Sequence, residues 1–486
     1  MRRHQVRRPM SRRRLFEGVA GFGLATAFGS VGAPWIAAAK AQTCCPDDVP
    51  QLDGEYLDDD TSRRRAAVDF GRSIYRLPLA VVKPRTIDDV ARIVAYADQN
   101  GIKVAMRGQA HSLYGQALAD GGIVIDSASL RHVSQASDDA IDAQAGALWG
   151  DVAKAALAQG RLPPVMPDAM MLSVGGTLSV GGMGETGYRF GTQVDHVREL
   201  DVVTGSGRRV TCASDREPEL FAMVLAGLGQ CGIIVRARLD VTPAGKFVVT
   251  HTLSYRDLDA FLADQARLSQ VAALGLLNGR LNRSPQGRWE CQLTAGGYVA
   301  DAEASPRPDW MDGLRYDGAS EPVAAPIWNY LDRRTASITA SKAKTIPNPS
   351  LIVTLPAAAT GPFIAEVLAS PALSAGIWFF EISPKIPTRH TRPLQKMPAG
   401  PLAYELRMQR RASAFDAPDH RAMLTANRQL VARALEQGGK VYPPFAPVLS
   451  PAQWQEHYGP ATWRRFAAAK KRFDPNNVLN RGPGIF

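Results

Sequence analysis

The sequence predicts an α+β chain of two domains, on three observations. Residues 79–126 read as strand, helix, strand, glycine-containing loop and strand, an α/β nucleotide-site arrangement. A second glycine-dense block, Ser173 to Gly182, lies downstream of it. From about Pro243 to Gly439 strand-like runs are separated by Pro-rich loops, and no phosphate-type glycine loop occurs. Once residues 1–41 are set aside, about 445 residues are left, more than one core usually organises.

Residues 1–41 read as an export signal. Arg2, Arg3, Arg7 and Arg8 precede Ser11-Arg12-Arg13-Arg14-Leu15-Phe16, then a Gly/Ala-rich apolar run from Gly18 to Ala39 and the small-residue exit Ala39-Lys40-Ala41. Paired arginines before Leu-Phe make this a twin-arginine signal, cleaved before Gln42, with the twin-arginine export machinery as partner and a periplasmic or secreted location. The alternative is an N-terminal membrane anchor. Pro34 and the moderate apolarity of the run speak against it, and no stable membrane span is expected. The segment carries eight of the 57 Lys and Arg and one of the 46 Asp and Glu, so its removal leaves 49 against 45 and lowers the formal charge from +11 to +4. Charge therefore gives no support for nucleic-acid binding. The five cysteines, Cys44, Cys45, Cys212, Cys231 and Cys291, show neither C-x-x-C spacing nor a histidine pattern, so no metal site is expected. Cys44 and Cys45 could enter a disulfide in an oxidising compartment.

Residues 42–68 read as a surface lead-in, Asp58-Asp59-Asp60 being followed by Arg63-Arg64-Arg65, with regular structure from about Asp69-Phe70-Gly71. Leu79 to Val82 reads as a strand. Thr86 then caps a helix with an acidic first turn, a buried face of Ile87, Val90, Val94 and Ala97, and an end at Gly101. Lys103 to Met106 and Gly122 to Asp126 are the next strands, and the loop after the first of them lacks the G-x-G-x-x-G fingerprint. The 173–182 block is too glycine-rich for a helix interior and too apolar for a free linker, so it reads as backbone that passes close to something bulky. Val197 to Thr204 and Arg209 to Cys212 form a hairpin about Gly205-Ser206-Gly207; Leu220 to Leu228 is helical and Ile233 to Val241 is extended. Gly297-Tyr298-Val299, Leu351 to Leu355 and Ile377 to Ile382 are candidate strands of the second domain. The tail carries Trp454, Tyr458, Trp463 and Phe466 on amphipathic helices.

Five stretches, in this order, carry a resemblance: Gly108-Gln109-Ala110-His111-Ser112-Leu113-Tyr114-Gly115-Gln116; Pro167 through Ser179; Glu199 through Gly205; Gly227 through Ile234; and Phe473-Asp474-Pro475 through Ile485-Phe486. Together they resemble the vanillyl-alcohol-oxidase superfamily of FAD enzymes, most closely the cytokinin dehydrogenases and their bacterial relatives. They fall within residues 69–241 and 440–486, and the middle third resembles the family much less. The resemblance implies a PCMH-type FAD-binding domain of two α/β subdomains over residues 69–242, completed by residues 440–486. It also implies a substrate-binding domain over residues 243–439 with an antiparallel sheet covered by helices.

On its own His111 reads as a structural histidine. The resemblance implies that it carries FAD through the flavin 8α-methyl, a bond that raises the redox potential and prevents loss of the cofactor outside the cell. The family usually has glycine before this histidine. Ala110 stands there instead, at a cost of about 1 kcal/mol if the backbone needs a positive φ. Backbone N–H groups of Gly108, Gln109, Ala110 and Ser112 would wrap the pyrophosphate, Gln116 would add a side-chain contact, and Ser173, Thr177, Ser179 and Ile233 match flavin-contacting positions. Relatives with a doubly attached flavin place a cysteine in the second motif. Met166 to Leu172 holds none, so a single covalent bond is expected.

Alone, Asp168 is a turn aspartate after Pro167. The resemblance makes it the catalytic residue, at the flavin and facing substrate, which accepts the proton of the substrate N–H as hydride leaves the adjacent carbon. Burial among Met166, Met170 and Met171 would raise its pKa. Near the C-terminus Arg481-Gly482-Pro483 replaces the family's Pro-Gly-Gln, and Asn480 is the residue that would compensate. Tyr442 resembles the family's tyrosine near the flavin ring and reads equally as core. Glu381, Glu405 and Arg407 are substrate-pocket candidates, the last two on one strand face by alternation, with a solvated strand face as the other reading of each. His196 and Arg189 are left undecided.

The expected function is that of an exported FAD-dependent oxidoreductase. It oxidises a C–N bond of a small cytokinin-type amine to an imine that water hydrolyses, and oxygen or a quinone-like molecule accepts the electrons. Two alternatives stand beside it: an FAD-linked oxidase of an alcohol, sugar or lactone, and a flavin-binding electron-transfer module with no small-molecule substrate of its own.

Overall fold

In the computed structural model, residues 49–284, 287–302, 308–343, 346–386 and 392–486 are described. The expected export signal, Cys44 and Cys45 lie outside them. Regular structure starts earlier than the sequence suggests, with a strand at Glu55–Leu57 and a helix at Asp60–Ala66. The charge run read as lead-in is that helix. Asp59 caps it by accepting from Ser62 N, and Arg63, Arg64 and Arg65 fill its last turn, where cations suit the helix dipole.

Three larger sheets and one short antiparallel pair, Arg161–Leu162 with Thr242–Pro243, organise Val49–Phe486, which forms one compact unit. In the first, Glu55–Leu57 runs antiparallel to Ala80–Lys83, which continues in parallel to Ile123–Asp126 and then Val104–Arg107. The helix Ile87–Gln99 covers it, started by a Thr86–Asp89 capping box and packed through Val90, Ile93, Val94 and Ala97. The buried Asp89 carboxylate also takes the N–H groups of Asp53 and Gly54 at 2.8 and 3.1 Å, which fastens the incoming chain to the helix start. The C-terminal segment returns to this sheet: Val104 N donates to Val478 O and Asn480 N to Val104 O, at 2.9 and 2.8 Å.

The second sheet, in the order Ala140–Gln144, Ile233–Asp240, Val197–Val203 and Arg209–Ala213, is antiparallel throughout. Against it lies a short helix, Val174–Val180, made from the glycine block that the sequence argued out of a helix. Propensity loses here to packing. Val174 and Leu178 are fully buried, and a Cβ on Gly175 would sit 2.6 Å from the Ala145 methyl, so only glycine lets the helix approach this closely. The helix expected to reach Leu228 stops at Val224. Ala226 and Leu228 adopt left-handed φ values of 57° and 53° and turn the chain toward the second sheet.

The third sheet has nine strands. Its main path is Phe247–Tyr255, Trp289–Val299, Leu276–Arg283, Ile377–Lys385, Ala403–Arg410, Leu351–Pro356 and Lys440–Val441, all antiparallel. Helices Leu258–Leu268, Ala357–Ala369 and Pro418–Glu436 pack on it. The expected strands at residues 297–299, 351–355 and 377–382 all belong to this sheet. The chain after its last strand reaches the loop that follows Arg107, where Leu113 N donates to Pro444 O at 2.9 Å and Gln116 Nε2 to Pro443 O at 2.7 Å. The tail helices Pro451–Tyr458 and Pro460–Phe473 bury Trp454, Tyr458 and Phe466, with Trp463 packed beside them. No described helix is long and apolar enough to cross a membrane. Cys212, Cys231 and Cys291 are free and buried.

Candidate active site

The segments that follow Arg107, Leu172, Leu228, Val441 and Val478 converge on one cleft, open to solvent, that encloses about 1070 Å³ of empty space. Its wall brings together Gly108, Gln109, Ala110, His111, Ser112, Gln116, Ser173, Thr177, Ser179, Ile233, Tyr442 and Asn480, twelve residues singled out from the sequence. Backbone shape makes this wall. A Cβ on Gly108 would lie 1.9 Å from Ser173 Oγ, and one on Gly232 would lie 2.3 Å from a Val202 methyl. Ala110 has φ 50°, the left-handed conformation anticipated for it, at a cost of about 1 kcal/mol.

The imidazole of His111 lies flat on Phe70, with ring centroids 4.4 Å apart and planes 15° apart, and Phe445 approaches it at 6.0 Å. Three side chains differ from expectation in how they are used. The amide of Gln116 donates to Pro443 O and Ala446 O and accepts from Tyr114 N, so it ties the histidine loop to the 443–446 turn rather than reaching into the cleft. Thr177 Oγ1 accepts from Trp149 Nε1 and donates to Val174 O, and Ser179 Oγ donates to Gly175 O. Asn480 does face the cleft. Its Nδ2 donates to Leu228 O at 2.5 Å, while Oδ1 is buried with no partner in the protein. Tyr442 lines the same wall near Phe445, and burial raises its phenol pKa well above the ordinary value.

Asp168, Glu381, Glu405 and Arg407 are not on that wall. They meet in a partly buried charge cluster beside it. Arg334 Nη1 lies 3.1 Å from Asp168 Oδ2 and 2.9 Å from Glu381 Oε1; Arg407 Nη1 lies 3.2 Å from Asp168 Oδ2 and 3.4 Å from Glu381 Oε2. Two guanidinium groups therefore contact the Asp168 carboxylate, in place of the apolar jacket expected from its methionines. Met166 and Met170 are buried in the core instead. The third sheet positions the rest by register. Glu381 is the cross-strand neighbour of both Arg280 and Arg407, and Ser383 that of Glu405. Glu405 pairs with Lys385 Nζ at 3.1 Å, and Asn278 Nδ2 donates to Glu381 Oε1 at 3.0 Å. The solvated reading of these strand positions is thus corrected: Glu381 and Glu405 are buried. Burial alone would raise the pKa of Glu381, but Arg334, Arg407 and Arg280 outweigh it and hold the carboxyl well below its usual range.

Arg407 links the two regions, its guanidinium carbon 5.5 Å from the centre of the Phe445 ring that lines the cleft. Asp168 also borders a smaller cavity of about 300 Å³ with Glu185, Tyr298, Tyr330 and Arg333. Arg334, Lys385 and Asn278 were missed from the sequence. Arg334 sits in the turn between helices Ile327–Asp332 and Thr335–Ala343, and no local pattern marks it. His196 and Arg189 lie outside both regions. His196 contacts Phe190 O and Asp240, and Arg189 donates to the carbonyls of Ala272 and Leu274.

A family model described as an FAD binding domain matches residues 78–213, and one described as cytokinin dehydrogenase 1, FAD and cytokinin binding, matches residues 391–486. An uncharacterized oxidoreductase, ORF5 of the fasciation locus of Rhodococcoides fascians, is 33% identical over 437 residues, 89% of this chain and 99% of its own. Cytokinin dehydrogenase 5 of Oryza sativa subsp. japonica is 32% identical over 87% of this chain and 89% of its own. Cytokinin dehydrogenase 7 of the same plant is 42% identical over 43% and 42%. The cleft suits an FAD: Gly108, Gly175 and Gly232 let the backbone segments that wall it pack against one another, and the orphaned Asn480 Oδ1 offers an acceptor to a ligand N–H.

Proposed function

Because the chain belongs to the cytokinin dehydrogenase family of FAD-dependent oxidoreductases, we propose that it oxidises the C–N bond of a small cytokinin-type amine, with FAD attached covalently to His111. When bound, FAD supplies a two-electron acceptor for the hydride that leaves the substrate carbon. The observation that carries the reading is a part-buried carboxylate, Asp168, fixed by Arg334 and by an Arg407 that also touches the cleft wall. Asp168 accepts a hydrogen bond and then the proton of the substrate N–H, and the two arginines fix the direction in which its oxygens point. Glu381 balances the charge of those arginines. Water then hydrolyses the imine to an aldehyde and an amine.

The backbone of Gly108, Gln109, Ala110 and Ser112 would hold the pyrophosphate, and Asn480 Oδ1 would offer an acceptor to the flavin. A neutral His111 nitrogen is the attachment point, and the bond keeps the cofactor in place after export by the twin-arginine route that Arg12-Arg13 support. The test of attachment is acid precipitation of purified protein. Yellow colour should stay with the wild-type pellet and be lost from His111→Ala; colour released from both would reject covalent attachment.

A further inference from the structure

We propose that Asp69 and Phe70 are positioning residues that present the His111 imidazole to the flavin, an inference that rests on the covalent reading above. Asp69 is buried, and its carboxylate joins two stretches of chain. One oxygen accepts from Gly71 N at 3.1 Å and Arg72 N at 3.3 Å; the other accepts from Gly115 N at 2.7 Å and Ser112 Oγ at 3.1 Å. The residues on either side of His111 are fastened to the same turn, since Phe70 N donates to Ala110 O at 2.8 Å and Gly71 N to Ser112 O at 3.2 Å. Gly71 makes this closeness possible, because a Cβ there would lie 2.0 Å from Leu113 O. Phe70 then sets the ring plane by stacking at 4.4 Å.

The backbone of the histidine loop is therefore held before and after His111, with Ala110 at φ 50°, and one face of the imidazole is covered. Such strain persists only where the surroundings over-determine it. A carboxylate is a costly staple for this purpose. Burial pushes Asp69 up to about 6 against the hydrogen bonds that lower it, yet only a carboxylate offers acceptor oxygens to all four of these donors, since an amide has one acceptor oxygen and an NH2 that only donates.

Attachment forms a bond between an imidazole nitrogen and the 8α-carbon and breaks one C–H bond of that carbon and the ring N–H. Two protons go to solvent, and two electrons pass to oxygen or a quinone-like acceptor, the one that reoxidises the cofactor in turnover. A nitrogen misaligned by about 1 Å slows such a step on the order of a hundredfold.

The experiment compares holoprotein of wild type, Asp69→Asn, Phe70→Leu and His111→Ala for total flavin, acid-stable flavin and thermal midpoint. The expected result is that Asp69→Asn and Phe70→Leu keep flavin absorbance and a cooperative melt while their acid-stable fraction falls at least tenfold. Variants that hold the wild-type acid-stable fraction overturn this inference alone. Total and acid-stable flavin falling in proportion in both variants indicate a merely structural tie and also overturn it; Phe70→Leu decides the matter if Asp69→Asn does not fold. Flavin released by acid from wild type overturns the covalent reading, and this inference with it.

Discussion

The cofactor cleft and the charge cluster beside it perform neighbouring tasks with opposite materials. The cleft is shaped by backbone: glycines 108, 175 and 232 let its wall segments pack closely, and the side chains of Gln116, Thr177 and Ser179 are bonded back into the protein. The cluster is made of charged tips: Asp168, Glu381 and Glu405 face Arg334, Arg407 and Lys385, with Asn278 and Ser383 completing the hydrogen bonds. Backbone suits a ligand whose shape never changes. A pocket that moves a proton needs groups whose charge can change, and these have to be paired while they wait.

The contrast breaks most visibly at Arg334. Arg334→Ala leaves two carboxylates short of a cation, which should cost about 3–5 kcal/mol in denaturant unfolding and abolish amine-driven bleaching while the flavin content of the folded fraction holds. A loss under 1 kcal/mol would mean that water replaces the guanidinium and that the cluster is not a unit.

Two carboxylates sharpen the comparison through pH, because they are shifted in opposite directions. Asp69, behind the cleft, is raised from 3.8 to about 6, chiefly by burial. The folded state keeps its proton longer than the unfolded chain, so its contribution to stability is fully present below about 3.8 and is lost as pH rises to about 6, by about 3 kcal/mol. Glu381 is lowered, so its contribution is present above its unfolded value and is lost as pH falls through its folded one. Unfolding free energies across pH 4–7 should show Asp69→Asn gaining on wild type as pH rises, and Glu381→Gln losing ground over the acid end of that range.

A smaller effect is expected from filling the cleft's own packing. Gly175→Val forces side-chain atoms onto Ala145 and should cost about 1–3 kcal/mol together with bound FAD, leaving the geometry of the cluster untouched. Equal loss of stability at full FAD occupancy would show that the glycine serves the helix rather than the cofactor.

These two regions also differ in how they can be read from sequence. A wall of backbone is local, so contiguous glycine runs announce it, and all twelve residues assigned to the cofactor from the sequence, Asp168 aside, line one cleft. The cluster draws on positions 168, 278, 334, 381, 385, 405 and 407, which only the register of the third sheet and one inter-helix turn bring together. Alternation rightly put Glu405 and Arg407 on one face but could not tell a buried face from a wet one. The same limit explains the smaller misreadings. Helix Val174–Val180 exists because packing on Ala145 outweighs glycine propensity, and helix Asp60–Ala66 forms because Asp59 caps it and the arginines suit its C-terminal end.

The central claim, that Asp168 takes the proton while electrons leave for FAD, is tested most directly by anaerobic stopped-flow reduction of wild type and Asp168→Asn with a cytokinin. Wild type should bleach, and the variant, with normal flavin content, should bleach about 10²–10⁴-fold more slowly. Equal rates in the two proteins, or a wild-type flavin that stays oxidised with amines and is reduced by an alcohol or sugar, would contradict it.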